Sequence, residues 1–490
     1  MKHESKLLRP TLVILLLSLV AAGAAAGADT DSLLIVYTND IHDHLRSDYD
    51  GRGGFVHVAA YIKQVRTQRN DVLVVDAGDI TEKGDMVSHV SGGRAACELF
   101  ARTGYDAVVP GNHDVRNLDK LRAFLEDPGL PLVCANMLVD GKSLLPPKRV
   151  VEVNGLRVGI IGLTRFAKRA EVLDAEGSTR ALAEQAATLE PETDLLVALV
   201  HEGTKVCGDL ARAVPVIDVF VSGHTHQLVQ EPHRVEETGA LIVQAGSNAE
   251  YVGRLELTVD KTAKAVVEAK GDLIPMEHDA IPADAELAAW LESETARIAP
   301  EAATLVAHSQ EPIGRDGVAW LIAEALRTHT GADVGLCMAD KVIRNSLPAG
   351  EIDGNAVFRV FAPWAIETVA VDIAGAALVD YLEKYAFTWD RPAWSGFAAR
   401  MDRDDNRNVH VGNTTLEPDT TYRVALSKEE WEDRLSDHCD AKPQPIAGNA
   451  FDALLAYIKK EAGGAPLDQH ATKLGEAATA AGRFASAVHH

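Results

Sequence analysis

The sequence feature that most constrains this chain is a series of short apolar runs, most of them followed directly by a polar cluster. These runs have the length and composition of buried strands. They are Leu33–Tyr37, Val72–Val75, Ala107–Val109, Leu132–Cys134, Val158–Leu163, Leu195–Val200, Val216–Val221 and Leu241–Gln244. Stretches with helical spacing, Gly92–Thr103 and Leu118–Glu126, lie between some of them. The alternation predicts a layered α/β domain.

The polar clusters that follow these runs are rich in Asp, His, Asn and Gly. In order they are Tyr37–His42, Asp76–Asp79, Gly111–Asp114, His201–Gly203 and Gly223–His226. Such side chains suit zinc, manganese, iron or cobalt, and in open α/β sheets ligands collect beyond the carboxyl ends of the strands. So many ionisable groups at one edge would be costly without cations. One cluster alone would indicate only a helix cap or a structural histidine, but the whole series predicts a metal site.

Spacing within two of the clusters suggests how their side chains are presented. Asp40 and His42 are two residues apart, and His224 and His226 repeat that spacing. In an extended chain, residues two apart point to the same side. We therefore expect each pair to face one ligand.

The charge balance restricts the possible partners. The 490 residues include 72 Asp and Glu against 48 Lys and Arg, which gives a formal net charge of -24. Such a surface repels nucleic acids and anionic membranes at long range, so we expect no nucleic-acid partner. A phosphate substrate would be repelled too, and its site would need local positive charge. Metal ions would supply that charge.

The N-terminal residues have the pattern of an export signal. Lys2, Lys6 and Arg9 precede the apolar run Thr11–Val20, and Ala26-Gly27-Ala28 fits a cleavage site. We expect a signal peptide over residues 1–28, a periplasmic or secreted bacterial protein, and no stable membrane insertion after cleavage. The alternative is a retained membrane anchor, for which the apolar run is short.

Further along, the composition indicates a second domain. The Pro- and acid-rich stretch near residues 274–282 precedes an amphipathic stretch over 284–298, which Pro300 closes. We expect a first domain over residues 29–275, a connector helix within 276–302 and a second domain over 303–490. In the second domain, 317–329 and 451–460 have helical spacing, and 365–371 and 422–425 are strand-like.

Together these motifs resemble a known family. The order Asn39-Asp40-Ile41-His42, Asp76–Asp79, Gly111–Asp114, His201 and Gly223–His226 is similar to that of calcineurin-like metallophosphoesterases. The whole mature chain resembles bacterial periplasmic 5′-nucleotidases of the two-domain type, including the segments Gln244–Ser247 and Ile373–Gly375. The resemblance implies a four-layer αββα sandwich, then a connector helix and an α/β substrate-binding domain.

The resemblance also implies two divalent metal ions and a role for each motif residue. Asp40, His42 and His226 would bind the first ion, Asn112, His201 and His224 the second, and Asp79 would bridge them. His113 would be catalytic, with Asp114 beside it. The implied reaction is hydrolysis of a phosphate ester, a 5′-nucleotide or nucleotide sugar, by a hydroxide that bridges the two ions. His113 would stabilise the charge on the phosphoryl group and could protonate the leaving oxygen.

The chain departs from the family in places that bear on substrate. Arg116 stands where relatives carry the Asp that orients the catalytic His, and Asp114 is the nearest acid. The pocket loops 338–342 and 363–366 also differ, although Arg344 is kept as a substrate contact. Trp394 and Phe397 are candidates for stacking on a base.

Other functions therefore stay open. One is hydrolysis of a phosphodiester, a cyclic nucleotide or a sulfur compound. Another is a binding protein without catalysis, against which the complete ligand set argues.

Overall fold

The structure is a computed structural model. It describes residues 30–116, 118–126, 128–165, 171–361, 366–385, 393–395, 397–401, 407–411, 414–461 and 465–479. The predicted signal peptide lies outside these ranges. Among the helices they contain, none has the length and apolar character needed to cross a membrane.

The first part of the chain contains two main sheets and the helices that cover them. Its strands are β1 (Thr30–Thr38), β2 (Val72–Asp76), β3 (Ala107–Val108), β4 (Leu138–Val139), β5 (Lys142–Ser143), β6 (Lys148–Val153), β7 (Leu156–Leu163), β8 (Leu195–Val200), β9 (Val219–Ser222), β10 (His233–Arg234), β11 (Leu241–Val243), β12 (Tyr251–Asp260) and β13 (Ala265–Pro275). Its helices are α1 (Phe55–Gln68), α2 (Met86–Val90), α3 (Arg94–Thr103), α4 (Leu118–Glu126), α5 (Ala175–Leu189), α6 (Thr204–Ala213) and α7 (Ala285–Ile298).

The two sheets form the inner layers of a sandwich. One has the strand order β13-β12-β1-β2-β3 and the other β10-β11-β9-β8-β7-β6. Ile35 and Val75 of the first sheet share one core with Ile160 and Val197 of the second. The outer face of the first sheet packs against α1, α3 and α7, and that of the second against α5 and α6. The predicted four-layer αββα architecture is confirmed.

The differences from the sequence prediction have local causes. Residues 132–134 form only an isolated bridge from Leu132 to Val108. The strand predicted from Val216 begins at Val219, because Pro215 and Val216 lie in a turn. The hairpin of β12 and β13 was not predicted as strands. Buried and partly exposed residues alternate along β12, so it lacks a continuous apolar run.

The second part of the chain is a smaller α/β unit. Its strands are β14 (Leu305–Ser309), β15 (Val334–Cys337), β16 (Gly350–Asp353), β17 (Glu367–Ala374), β18 (Ala393–Ser395), β19 (Phe397–Met401), β20 (Arg407–Val411), β21 (Thr414–Thr415), β22 (Thr421–Ser427) and β23 (Gln444–Asn449). Its helices are α8 (Arg315–Thr330), α9 (Ala339–Val342), α10 (Gly354–Phe361), α11 (Gly375–Tyr385), α12 (Lys428–Asp433), α13 (Ala450–Glu461) and α14 (Leu467–Thr479). Short 3₁₀ turns lie at Asp114–Arg116, Glu190–Glu192, Pro300–Ala303 and Leu435–His438.

The central sheet of this unit has the order β18-β15-β22-β17-β23. The predicted helices and strands correspond to α8, α13, β17 and β22, which confirms the α/β class. The amphipathic stretch before it forms α7, whose first turn is capped by Asp284. The Asp284 carboxylate accepts hydrogen bonds from the amides of Glu286 and Leu287. Leu287 and Leu291 then bury one face of α7 in the core of the first part of the chain.

A buried polar interface joins the two parts of the chain. The guanidinium of Arg359 in α10 donates hydrogen bonds to Asp48 Oδ1 and to His44 Nδ1, the latter at 2.6 Å. Nearby, the amide of Asn355 donates to Asp85 Oδ1 at 2.7 Å and accepts from the backbone of Met86 at 2.9 Å. Burial alone would raise the pKa of Asp48, but the charge of Arg359 outweighs it and holds that pKa below its usual range.

Removing Arg359 should therefore destabilise the folded chain. We expect Arg359→Met to lower the free energy of unfolding by about 3 kcal/mol, because Asp48 is left as a buried, uncompensated charge. Since the fold lowers the pKa of Asp48, its stabilising contribution is present above the unfolded value of about 3.9 and is lost as the pH falls. In denaturant titrations, the free energy of unfolding of Arg359→Met should lose the part of its fall at acidic pH that comes from Asp48.

The matched control is Arg423→Met, which breaks an exposed ion pair with Asp372 at 3.5 Å. It should cost less than about 1 kcal/mol. Equal losses in the two variants would contradict the role given to the buried pair.

Candidate metal centre

The site lies where parallel strands of both sheets end. Strands β1, β2 and β3 run parallel to one another, as do β7, β8 and β9. Each of the predicted metal-binding residues lies within a few residues of the end of one of these strands. Asp40 and His42 follow β1, Asp79 follows β2, Asn112 follows β3, His201 follows β8, and His224 and His226 follow β9.

The structure gathers six of these side chains into two groups. The ligand atoms of Asp40, His42 and His226 all lie within 4.8 Å of one another, and so do those of Asp79, His201 and His224. His226 Nε2 is 3.3 Å from Asp40 Oδ1, and His201 Nε2 is 3.1 Å from Asp79 Oδ2. The Asp79 carboxylate also lies 3.8 Å from His42 Nε2 of the other group. Asp79 is thus within reach of both groups, as a bridging ligand must be.

Asn112 is the remaining predicted ligand, and its side-chain oxygen lacks a hydrogen-bond donor. Its Oδ1 is buried and has no hydrogen-bond partner among the described residues. The next residue, His113, donates its backbone N–H to Asp79 Oδ1 at 2.8 Å, which ties this loop to the shared carboxylate. A buried acceptor without a donor is destabilising, and a cation would satisfy it. The donor set of oxygen and imidazole atoms fits divalent transition metals.

The backbone at the predicted ligands is strained. Left-handed φ angles occur at Asp40 (53°), His42 (51°), Asp79 (58°), His224 (75°) and His226 (55°). The expectation that each two-residue pair lies on extended chain is therefore wrong: both members of each pair are left-handed. Non-glycine residues in this region cost free energy and cluster at functional sites. The side chains converge because the loops turn tightly, and not because they alternate along a strand.

Backbone contacts between the loops maintain these turns. The N–H of Asp40 donates to Gly78 O at 2.8 Å, and that of His42 donates to Asp79 O at 2.9 Å. At Gly223 the loops approach so closely that a Cβ atom would lie 2.6 Å from Ala77 O and 2.7 Å from His201 Nδ1. Glycine is required there by the close approach of the neighbouring loop.

The electrostatics favour the binding of cations. Burial lowers the pKa of His42 to about 3 and that of His224 to about 4, so both are neutral and able to bind a metal at pH 7. Burial also lowers the pKa of His201, but the charge of Asp79 outweighs it and raises that pKa to about 10. In return, His201 holds the pKa of Asp79 below its usual range, although burial raises it. A proton held on His201 by Asp79 would have to leave before His201 could bind a metal ion.

The two predicted catalytic residues have different surroundings. The His113 ring lies beside the cluster, with Nε2 3.9 Å from Asp79 Oδ2. The carboxylate of Asp114, in contrast, is buried and accepts hydrogen bonds from the backbone of Gly111 at 2.9 Å and from the backbone and hydroxyl of Thr81 at 3.0 and 2.8 Å. These contacts hold the loops after β2 and β3 together, so we assign Asp114 a structural role.

Three charged residues near the cluster were not predicted from the sequence. Glu82 lies 2.5 Å from His113 Nδ1, and Lys83 Nζ lies 3.1 Å from His42 Nε2. Arg165 contacts His224 Nε2 and lies 3.6 Å from Glu202. Arg165 comes two residues after β7 ends, so the strand-end pattern could have indicated it. Glu82 and Lys83 had no such signal, because they lie deeper in the loop after β2.

The predicted substrate contacts are only partly described. Arg344 is exposed, its backbone N–H donates to Val360 O at 2.7 Å, and its charge is one cause that lowers the pKa of Lys83, after burial. The charge of Arg344 is therefore near enough to Lys83 to act on it. The backbones of Trp394 and Phe397 lie in β18 and β19, but their side chains lie outside the described part of the chain.

A cavity adjoins this region. It has a volume of about 210 Å³ and is lined on one side by Glu82, Lys83, His113 and Arg116. Phe358 of α10 lines it from the second part of the chain. The cavity provides space beside His113 for part of a bound molecule.

Comparison with protein families agrees with this geometry. Residues 33–228 match the calcineurin-like phosphoesterase model, and residues 298–428 match the model of the 5′-nucleotidase C-terminal domain. The chain belongs to the 5′-nucleotidase family of calcineurin-like phosphoesterases. The match indicates a metal-dependent phosphoester hydrolase, and the phosphoesterase fold implies divalent metal ions.

Relatives of this 5′-nucleotidase-family chain differ in length and in printed activity. A 5′-nucleotidase of Vibrio cholerae is 26% identical over 81% of this chain and 84% of its own length. An endonuclease of Bacillus subtilis, YhcR, is 25% identical over 84% of this chain but only 38% of its own length. A 5′-nucleotidase of Diplobatis ommata is 28% identical over 57% of this chain and 55% of its own length. The chain thus spans about half or less of these last two relatives.

Solved structures share the fold. A 5′-nucleotidase precursor from Thermus thermophilus superposes with a TM-score of 0.67 at 23% identity, covering 88% of this chain and 97% of its own. A sulfate thiohydrolase, SoxB, from the same organism gives 0.62 at 18% identity, covering 88% and 94%.

Removal of the metal ions should lower the stability of the folded chain. We expect elemental analysis of the purified protein to find two divalent ions per chain, and chelation to lower the free energy of unfolding by roughly 3 kcal/mol, a value typical of a ligand at a hundred times its Kd. The physical reason is that the clustered carboxylates and imidazoles lose their compensating charge.

Asn112→Ala should lower the metal content, whereas the matched control His233→Ala, at an exposed histidine on β10, should not. Unchanged metal content in Asn112→Ala would remove Asn112 from the ligand set.

Proposed function

We propose that this chain is an exported hydrolase that cleaves phosphate esters, with 5′-nucleotides or nucleotide sugars as its substrates. The observation that carries the proposal is the pair of His/Asp groups that share Asp79, with His113 beside them. We assign Asp40, His42 and His226 to one cation, Asn112, His201 and His224 to the other, and Asp79 to both. Zinc, manganese, iron and cobalt all suit this donor set.

When bound, two divalent cations would activate water as the nucleophile and neutralise charge on the phosphate oxygens. The chain's own residues then position the ester. His113 lies at the border between the ligand cluster and the cavity, where it can donate a hydrogen bond to the phosphoryl group or to the leaving oxygen. Charge that builds on the phosphoryl oxygens is stabilised most by donors fixed in advance. The small exposure of the His113 side chain, 11%, supports such a fixed position.

Local cations support a phosphate substrate despite the net charge of -24. Lys83 contacts His42 and Arg165 contacts His224, and the charge of Arg344, in the second part of the chain, is near enough to act on Lys83. We infer that Lys83 and Arg165 contact the phosphate and that Arg344 contacts the rest of the ester. The N-terminal signal pattern supports export to the periplasm or medium, where phosphate esters would be scavenged.

One alternative has a specific observation in its favour. The relative named as an endonuclease makes hydrolysis of a phosphodiester the second candidate. Loss of catalysis is not favoured, because every predicted ligand is present and the structure gathers six of them.

The substrate class is tested by measuring how fast the purified protein, with added manganese or zinc, hydrolyses each kind of ester. We expect turnover of nucleoside monophosphates or nucleotide sugars, and little turnover of cyclic nucleotides or an aryl diester. His113→Ala should lower kcat by roughly a hundred-fold or more while the metal content stays at the wild-type level. Activity on diesters alone would replace the proposal with the second candidate, and full activity of His113→Ala would exclude the role given to His113.

Substrate contact by Arg344 is tested separately. Loss of one charge-assisted hydrogen bond at an exposed position predicts a KM for nucleoside monophosphates raised roughly ten-fold in Arg344→Ala, with kcat nearly unchanged. The KM for a small aryl phosphate should change much less, because that ester has no nucleoside to reach Arg344. The matched control is Lys428→Ala, an exposed cation of the same domain that pairs with Glu367. Equal effects of Arg344→Ala on both esters would place Arg344 at the phosphate instead.

A further inference from the structure

His113 has two ring nitrogens with different surroundings. Its Nε2 faces the metal-ligand cluster, 3.9 Å from Asp79 Oδ2. Its Nδ1 faces away and lies 2.5 Å from Glu82 Oε2. A carboxylate on one ring nitrogen fixes the orientation of the ring, because Nδ1 must then point a proton at that carboxylate. The second nitrogen is thereby presented to the substrate in a defined direction.

Glu82 is itself held in place from two directions. Its backbone N–H donates to the buried carboxylate of Asp43 at 2.6 Å, and its φ of 68° is left-handed, so the loop turns sharply at this residue. The side-chain carboxylate is approached by Arg116 Nη1 at 3.1 Å. The side chain of Glu82 is only 23% exposed. A strained, anchored backbone and an ion pair thus aim one carboxylate at one imidazole nitrogen.

No other acid occupies this position among the described residues. Asp114 follows His113 directly, but its carboxylate is bonded to the amides of Gly111 and Thr81. Residue 116, one turn further along, is an arginine and cannot accept a proton from the imidazole. It can, however, attract a carboxylate from another loop, and the structure has one there.

We propose that Glu82 is the positioning residue for His113, and that Arg116 holds the Glu82 carboxylate in place. The acid that orients the imidazole therefore comes from the loop after β2, while the chain segment that carries His113 supplies the counter-charge. The catalytic consequence rests on the proposed function; the hydrogen bond itself does not.

The experiment is a double-substitution cycle. We expect Glu82→Ala to lower kcat roughly ten- to hundred-fold, with KM and metal content unchanged, because the imidazole loses its fixed orientation. In the His113→Ala background, Glu82→Ala should change kcat by less than about two-fold, since residues that act through one another are not additive. Glu82→Gln keeps an acceptor and the shape, so it should lose less than Glu82→Ala and guards against misfolding of the alanine variant.

A second experiment tests whether another carboxylate can replace that of Glu82. Arg116→Asp places a carboxylate beside His113, and in the Glu82→Ala background it should recover at least several-fold of the lost kcat. The matched control is Glu98→Ala, a glutamate on α3 that pairs with Arg102 at 2.9 Å far from the ring. It should leave kcat unchanged.

A measurement without substrate separates this proposal from the function. Proton NMR of the metal-free protein should show a far-downfield His113 Nδ1–H resonance that is lost in Glu82→Ala and kept in Glu98→Ala. Absence of that resonance in the wild-type protein, or an equal loss of kcat from Glu82→Ala in both backgrounds, would overturn the proposal. A wild-type protein that shows the resonance but hydrolyses no ester would contradict the proposed function and leave the positioning contact established.

Discussion

The structure depends on how charge is concentrated at the carboxyl ends of the strands. The carboxylates of Asp40 and Asp79 are almost completely buried there among the imidazoles of five histidines, where each unpaired charge would cost several kcal/mol. Without cations, protonation of a histidine relieves part of this cost, and the pKa of His201 is raised accordingly. Metal ions compensate the carboxylates better, because one cation can contact several ligands. This requirement links the two sheets, the loop conformations and the proposed chemistry.

Loop strain follows from the same requirement. Bringing ligands from two sheets to one point needs sharp turns directly after the strands, and residues such as Asp79 and His224 adopt left-handed backbone to achieve it. The strain is tolerated because the strands beneath are fixed: Tyr37 pairs with Val75 and Leu163 with Val200 in continuous parallel ladders. A flexible scaffold would relax such turns and separate the ligands. The sandwich is therefore a precondition of the site.

The sequence could predict those features that depend on residues close together in the chain. Strands buried on both faces, such as β7 and β8, are continuous apolar runs, and the predicted metal ligands follow strand ends, so both were readable from the chain. The hairpin β12–β13 alternates and was missed. Contacts that join distant residues left no pattern: Glu82 and His113 are 31 positions apart, and Arg359 and Asp48 are 311 apart. Their partners are set by packing of loops and domains, for which single-sequence reasoning has no rule.

The distribution of charge also bears on which phosphate ester fits. Long-range repulsion from a chain of net charge -24 is screened beyond about 8 Å at physiological ionic strength. The cations Lys83 and Arg165 contact histidines of the site, so their charges are screened far less. A small ester carries its negative charge into this region and leaves little elsewhere. A nucleic-acid strand places one phosphate there and lays the others along an acidic surface, so each further phosphate adds repulsion. Under the proposed function, this charge distribution would favour a nucleotide over a polymer without any steric gate.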